Sequence, residues 1–277
     1  MNPFSLRRRS QLCALMLGLL LKVVPAAHAE PAAGYDMGFR NVTNLQTDLY
    51  IALDRKKRPL VSAQAVLLES VRQPCVGSVP AGGSGAPVQV SAGFIDFLNR
   101  VAHAKAIDQT ERGFFGNYTK QVAQQARNSS LPDFDARSSP SAWALDTMNR
   151  QASQFNQMAA AFVAIDLAHH YQGNYRKHAA ELTAEAGLPM PINAVVTEQE
   201  WRDAVMRGAR NALDCGLGVD GLKTVFQCFE QMPNRPAWAV YFVHPKANLT
   251  KISTELGKLE RDFFVMNHTL QKFGGGR

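Results

Sequence analysis

AIDLAHHYQGNYRKHA, residues 164–179, closes an apolar stripe that starts well upstream of it. Phe155, Met158, Phe162, Ile165 and His169 fall at i, i+3, i+7, i+10 and i+14, which puts them on one face of a helix. The spacing predicts a long helix from about Leu145 to about Leu182, with that face turned inward. A helix of this length, flanked on both sides by shorter helical patterns, is expected to be the centre of the fold.

Working outward, LPMPIN breaks the chain with two prolines, and TEQEWRDAVMRGARNALDCG then reads as a capped helix. Thr197 is a cap and Glu200, three residues on, its capping-box partner; Gly216 and Gly218 end the run. Further helices are expected over Val219–Met232 and Leu249–Lys272, with AWAVYFVHP between them as a strand or apolar connector. On the N-terminal side, PVQVSAGF alternates like a short strand and FIDFLNRVAHAKAI returns to helical spacing. VGSVPAGGSGAP and ARNSSLPDFDARSSPSAWA have loop compositions, and residues 30–45 read as polar and extended. These elements predict an α+β fold, predominantly α: one domain over residues 30–272, a small sheet packed on the central helix, and a flexible tail at 273–277.

The first 29 residues have a basic start (Arg7, Arg8, Arg9), an apolar run from about Leu12 to Val24, and an Ala27-His28-Ala29 ending. That is the pattern of a cleaved secretory signal, and it predicts an exported chain, periplasmic or secreted. No other segment has the length of unbroken apolar sequence that a membrane helix needs, so no stable span is expected after cleavage. The formal charge of the whole chain is +7, and the signal holds four of the positive charges and no acid. The remaining +3 gives no support to a nucleic-acid partner. Cys13 leaves with the signal; Cys75, Cys215 and Cys228 remain. For Cys215 and Cys228, on neighbouring helical patterns, a disulfide and two buried thiols both fit.

A zinc-binding helix presents two ligands at i and i+4, one turn apart on one face. In the HExxH arrangement these are histidines, and the glutamate between them activates the metal-bound water. Here the same frame reads Ile165-Asp166-Leu167-Ala168-His169. IDLAHHYQGN resembles the HELAHHxxGH-type helix of gluzincin zinc metallopeptidases, of the CAAX-prenyl-endopeptidase-like and periplasmic peptidase type. VPAGGSGAPVQVSAGFIDFL (79–98) resembles the strand and helix start that precede that motif in the family. EWRDAVMRGARNALDCGLGVDG (200–221) resembles the helix that carries the third ligand.

Carried over residue by residue, the resemblance places the first ligand histidine on Ile165, the catalytic glutamate on Asp166 and the second histidine on His169. A second-shell histidine falls on Asn174 and the third ligand on Trp201, next to Glu200. One of three ligands survives in this frame, too few to hold zinc. The resemblance therefore implies a degenerate HExxH site: a pseudoenzyme of the cell envelope that binds a peptide or an envelope protein without cutting it, and carries no cofactor. A rewired metal site is the alternative. Asp166 pairs with His170 at i, i+4 and with His169 at i, i+3, and Glu200 lies beside the expected third position. Asp166, His169, His170 and Glu200 form an acceptable ligand set for zinc or another divalent ion; Asp166 is the candidate catalytic acid by its position, and making it a ligand leaves no evident general base. A structural helical protein, with a satisfied core histidine at position 169, is the third reading. His103 and His244 read as structural or surface histidines, and no nucleophile elbow, P-loop or dinucleotide turn is present.

Overall fold

The computed structural model describes residues 31–79, 85–125, 140–182, 187–232 and 234–274. The predicted signal, most of the 126–144 loop, the glycines of 80–84 and the last three residues lie outside them. The described elements run α1 (Pro31–Ala52), β1 (Ala65–Leu68), β2 (Val76–Ser78), β3 (Val88–Ser91), α2 (Ala92–Asp108), α3 (Phe114–Gln125), α4 (Leu145–Tyr171), α5 (Asn174–Lys177), α6 (Glu198–Asp214), α7 (Asp220–Glu230) and α8 (Leu249–Gly274). The fold is α+β and predominantly α. No helix among the described residues is long and apolar enough to cross a membrane.

Helix α4 is the centre, with α2, α6 and α7 packed around it. Small side chains let these neighbours come close. Ala159, Ala160, Ala161, Ala164 and Ala168 of α4 are all buried, and two facing glycines bring backbone against backbone. A Cβ on Gly208 of α6 would lie 2.7 Å from the Ile165 nitrogen, and one on Gly221 of α7 would lie 2.7 Å from the Met158 nitrogen. Around this axis Phe94, Phe97, Phe162, Phe229, Trp238 and Phe242 form a linked aromatic core, with Phe162 and Phe242 5.0 Å apart edge to face.

The sheet has the order β1-β3-β2, β1 parallel and β2 antiparallel to β3. PVQV is its central strand, with Val88 and Val90 fully buried. Ser91 ends the strand and caps α2, its hydroxyl accepting from Phe94 N at 2.8 Å. β2 and β3 lie alongside α4. β2 was not legible as a strand, because it is only three residues of a loop-like sequence. Its outer edge is covered where Met190 N donates to the Ser78 carbonyl at 3.3 Å.

Two elements differ from expectation and one alternative is resolved. Residues 31–52 are helical rather than extended: Val42, Gln46, Leu49 and Leu53 make the inward stripe. The glutamine breaks the apolar pattern, yet it is buried with its amide donating to the Ser62 carbonyl at 2.7 Å. Helix α4 stops at Tyr171 rather than near Leu182, because Gly173 takes φ 79° and turns the chain back into the short α5. Of the two readings of AWAVYFVHP, the apolar connector holds and the strand does not: residues Ala237–Tyr241 form a 3-10 turn whose rings enter the core. The three helices expected after LPMPIN are present as Glu198–Asp214, Asp220–Glu230 (expected over Val219–Met232) and Leu249–Gly274 (expected over Leu249–Lys272), the first with its Thr197–Glu200 capping box complete.

Candidate functional site

The turn at Gly173 builds the site. It brings Asn174 and Tyr175 back beneath the last turn of α4, where Asp166, His169 and His170 lie. Asp166 is 4 % exposed. Its Oδ2 accepts from the Ser78 hydroxyl of β2 at 2.7 Å, and its Oδ1 accepts from the Tyr175 hydroxyl. The Tyr175 oxygen in turn accepts from Ser78 N at 3.1 Å. Ser78, Tyr175 and Asp166 therefore form a closed hydrogen-bonded triangle joining β2, α5 and α4. Burial, then the adjacent Asp166, holds the Tyr175 phenol well above its ordinary value.

His170 stacks on the Tyr175 ring at 4.4 Å and sits with Nε2 3.7 Å from Asp166 Oδ2, beyond hydrogen-bond reach. Burial lowers its pKa, against the opposing pull of Asp166. His169 is 1 % exposed, and its Nδ1 meets the Asn174 amide at 2.9 Å. Burial and then the neighbouring His170 push it down to about 3, so the ring is neutral at neutral pH. Asn193 and Glu200 favour its protonated form, but no hydrogen bond closes: His169 Nε2 and Asn193 Oδ1 are both buried without partners.

Glu200 is committed elsewhere. Its carboxylate accepts from Lys177 Nζ at 2.5 Å, from His178 Nε2 at 3.2 Å, and from the Thr197 backbone and hydroxyl at 2.8 and 3.0 Å. Burial alone would raise its pKa; these bonds outweigh burial and bring it down to about 2. Trp201, the next residue, is fully buried 5.9 Å from the Phe226 ring. Ile165 is buried as well.

Of the four candidate ligands, then, Asp166 and His170 come together. His169 faces the two asparagines, and Glu200 faces Lys177 and His178. Among the described residues no three His, Cys, Asp or Glu side chains converge so as to hold a metal ion. In the frame of the family resemblance the residues present do not fit zinc, because a buried isoleucine and a buried tryptophan stand at two ligand positions. Cys75, Cys215 and Cys228 are free thiols, so Cys215 and Cys228 are not bridged. His103 is tied to the Ala142 carbonyl at 2.7 Å.

Beside this buried cluster lies an open groove of about 450 Å³, lined among others by Lys57, Tyr171, Asn174, Glu200, Asp203 and Arg207. Sequence reasoning reached Asn174 and Glu200 but missed Lys57, Tyr171, Asp203 and Arg207, as it missed Ser78, Tyr175 and His178. The spacing of Glu200, Asp203 and Arg207 at i, i+3 and i+7 was a usable signal, since it sets them on one face of α6. Nothing local marks Ser78 or Tyr175, which meet across 97 residues of chain. Comparison with family models, curated proteins and solved structures finds no match for the chain in any of the three. What fold and site define together is a predominantly α protein with a buried Asp–His–His cluster at the end of its central helix.

Proposed function

We propose that this chain is an exported protein on a metallopeptidase-like scaffold that binds a peptide or a protein segment without hydrolysing it. The observation that carries this reading is the saturation of Asp166. The acid at the position where a peptidase keeps its general base accepts two hydroxyls in a buried triangle, and so serves as a tie between helix and sheet. A general base needs its carboxylate within reach of a water on an open face. The polar groove beside the cluster, with charges of both signs, suits the main chain and charged groups of a peptide.

The rewired hydrolase has one observation in its favour: His169 and His170 each hold a buried Nε2 without a hydrogen-bond partner. To use Asp166 and Glu200 with them, it must break the bonds of Ser78 and Tyr175 to Asp166 and those of Lys177 and His178 to Glu200.

The two readings separate in one experiment. The purified chain is loaded with zinc, desalted and analysed for metal, then incubated with a labelled pool of short peptides. Peptides that are bound saturably and recovered intact, with less than stoichiometric metal, support the binding protein. One equivalent of zinc, lost in both His169→Ala and His170→Ala and accompanied by peptide cleavage, overturns it.

A further inference from the structure

On the proposed peptide-binding reading, on which its subsites rest, the groove is the seat of the ligand. Its charges are not all available. Glu200 is occupied by Lys177 and His178, and Asp203 accepts from Gln199 at 2.8 Å. The two cations differ in this respect. Arg207 is exposed and has no ion-pair or hydrogen-bond partner among the described residues. The Lys57 ammonium sits over the Tyr171 ring, 4.9 Å from its centre, with no carboxylate on it among the described residues.

Both cations line the groove together with Tyr171, the last residue of α4. Lys57 covers its face, and Arg207 is near enough to act on its phenol, opposing the burial that raises it to about 12. The phenol stays a neutral donor and has no hydrogen-bond partner among the described residues. Each part is held from behind. The turn carrying Lys57 is anchored to the end of α1 by Arg58, whose Nε donates to the Leu53 carbonyl at 3.0 Å. Arg207 stands on α6 one residue before Gly208, where that helix lies closest to α4.

We propose that Lys57, Arg207 and the Tyr171 hydroxyl form a carboxylate subsite, and that it takes the C-terminal carboxylate of a peptide. A guanidinium, an ammonium and a neutral phenol are the donors a carboxylate accepts, and the guanidinium fits it two-pronged. The Gln172 side chain lines the groove beside them and is the amide available to the last peptide bond, since that of Asn174 is held by His169 Nδ1 at 2.9 Å. The acidic rim of Glu200 and Asp203 disfavours ligands with further acids, so the carboxylate is the terminal one that every peptide carries.

The test uses the purified full chain and two fluorescein-labelled pools of short randomised peptides, one ending in a free carboxylate and one in an amide. Fluorescence polarisation at physiological salt reads their affinities. The free-acid pool should bind about tenfold tighter, the effect of a hydrogen bond to a charged group. Arg207→Gln and Lys57→Gln should each shrink that preference, and the double variant should abolish it, with melting temperatures unchanged because neither side chain is buried. Equal binding of the two pools, or a preference that survives in the double variant, overturns the carboxylate subsite and leaves the peptide-binding reading standing. If neither pool binds, both fall. Displacement of the free-acid pool by millimolar inorganic phosphate also overturns the subsite, showing an unselective anion site.

Discussion

Tyr175→Phe removes one oxygen atom and unseats two hydrogen bonds at once. In the wild type that oxygen donates to Asp166 Oδ1 and accepts from Ser78 N at 3.1 Å, and all three residues are buried. Losing the bond to a carboxylate costs about 1.5–3 kcal/mol, and the amide left without an acceptor costs about 1–3 kcal/mol. The phenyl ring keeps its stack on His170, so no cavity adds to the loss. Together the two terms give a destabilisation of roughly 2.5–6 kcal/mol, large against the whole stability of a domain. Urea unfolding followed by circular dichroism measures it. Ser78→Ala serves as the comparison: it removes only the 2.7 Å bond to Oδ2 and should cost about 1.5–3 kcal/mol. The double variant should lose less than the sum of the two, because both residues serve the same carboxylate. A Tyr175→Phe loss below about 1 kcal/mol would refute the reasoning, since the triangle would then not be closed in solution.

The remaining predictions follow from the same chemistry. His169 is held near pKa 3 against an ordinary 6.5, so the unfolded chain binds its proton first and stability falls as pH drops from the higher value toward the lower. His169→Asn should flatten that slope by up to about 1.4 kcal/mol per pH unit; denaturant midpoints taken across the window check it, and identical slopes refute it. Glu200, lowered from 4.5 to about 2, contributes stability that is present above 4.5 and lost as pH falls through 2. Glu200→Gln should therefore cost on the order of 1 kcal/mol at neutral pH, with the gap closing on acidification. Gly208→Ala should destabilise by about 1–3 kcal/mol, because its Cβ meets α4 backbone. Gly116→Ala, in α3 with open space around it, should be neutral or stabilise by up to about 1 kcal/mol. Thermal melts compare the two. Burial raises the thiols of Cys75 and Cys215 to about 11 and that of Cys228 to about 12. Under native alkylation the half-buried Cys215 should therefore react first, with Cys75 and Cys228 modified only on unfolding, as mass spectrometry will read.

Periodicity revealed the scaffold wherever the inward face was apolar throughout. The Phe155-to-His169 stripe found α4, and the Thr197–Glu200 box found the start of α6 to the residue. The method failed where a polar residue took a core position, as Gln46 does in α1, and where a strand was too short to alternate, as at Val76–Ser78. The site was legible only along its own helix. Asp166, His169 and His170 announce themselves by spacing on one face, but their partners Ser78 and Tyr175 depend on a sheet edge and a left-handed glycine that bring distant chain together. Glu200 was found for its charge and given the wrong neighbours, because Lys177 and His178 reach it only after the chain has reversed at Gly173.

That glutamate has a further consequence for how the molecule assembles. Its Oε2 finishes the N-terminus of α6 through Thr197, and the same carboxylate holds the 177–178 turn that follows the end of α4. The first turn of one helix and the segment leaving another are thus fastened by one group and must form or open as a unit. In native-state hydrogen exchange the backbone amides of Glu200 and Trp201 should share an opening free energy with those of His178 and Leu182. Two regions far apart along the chain would then behave as one cooperative foldon, and the floor of the groove would be drawn from it.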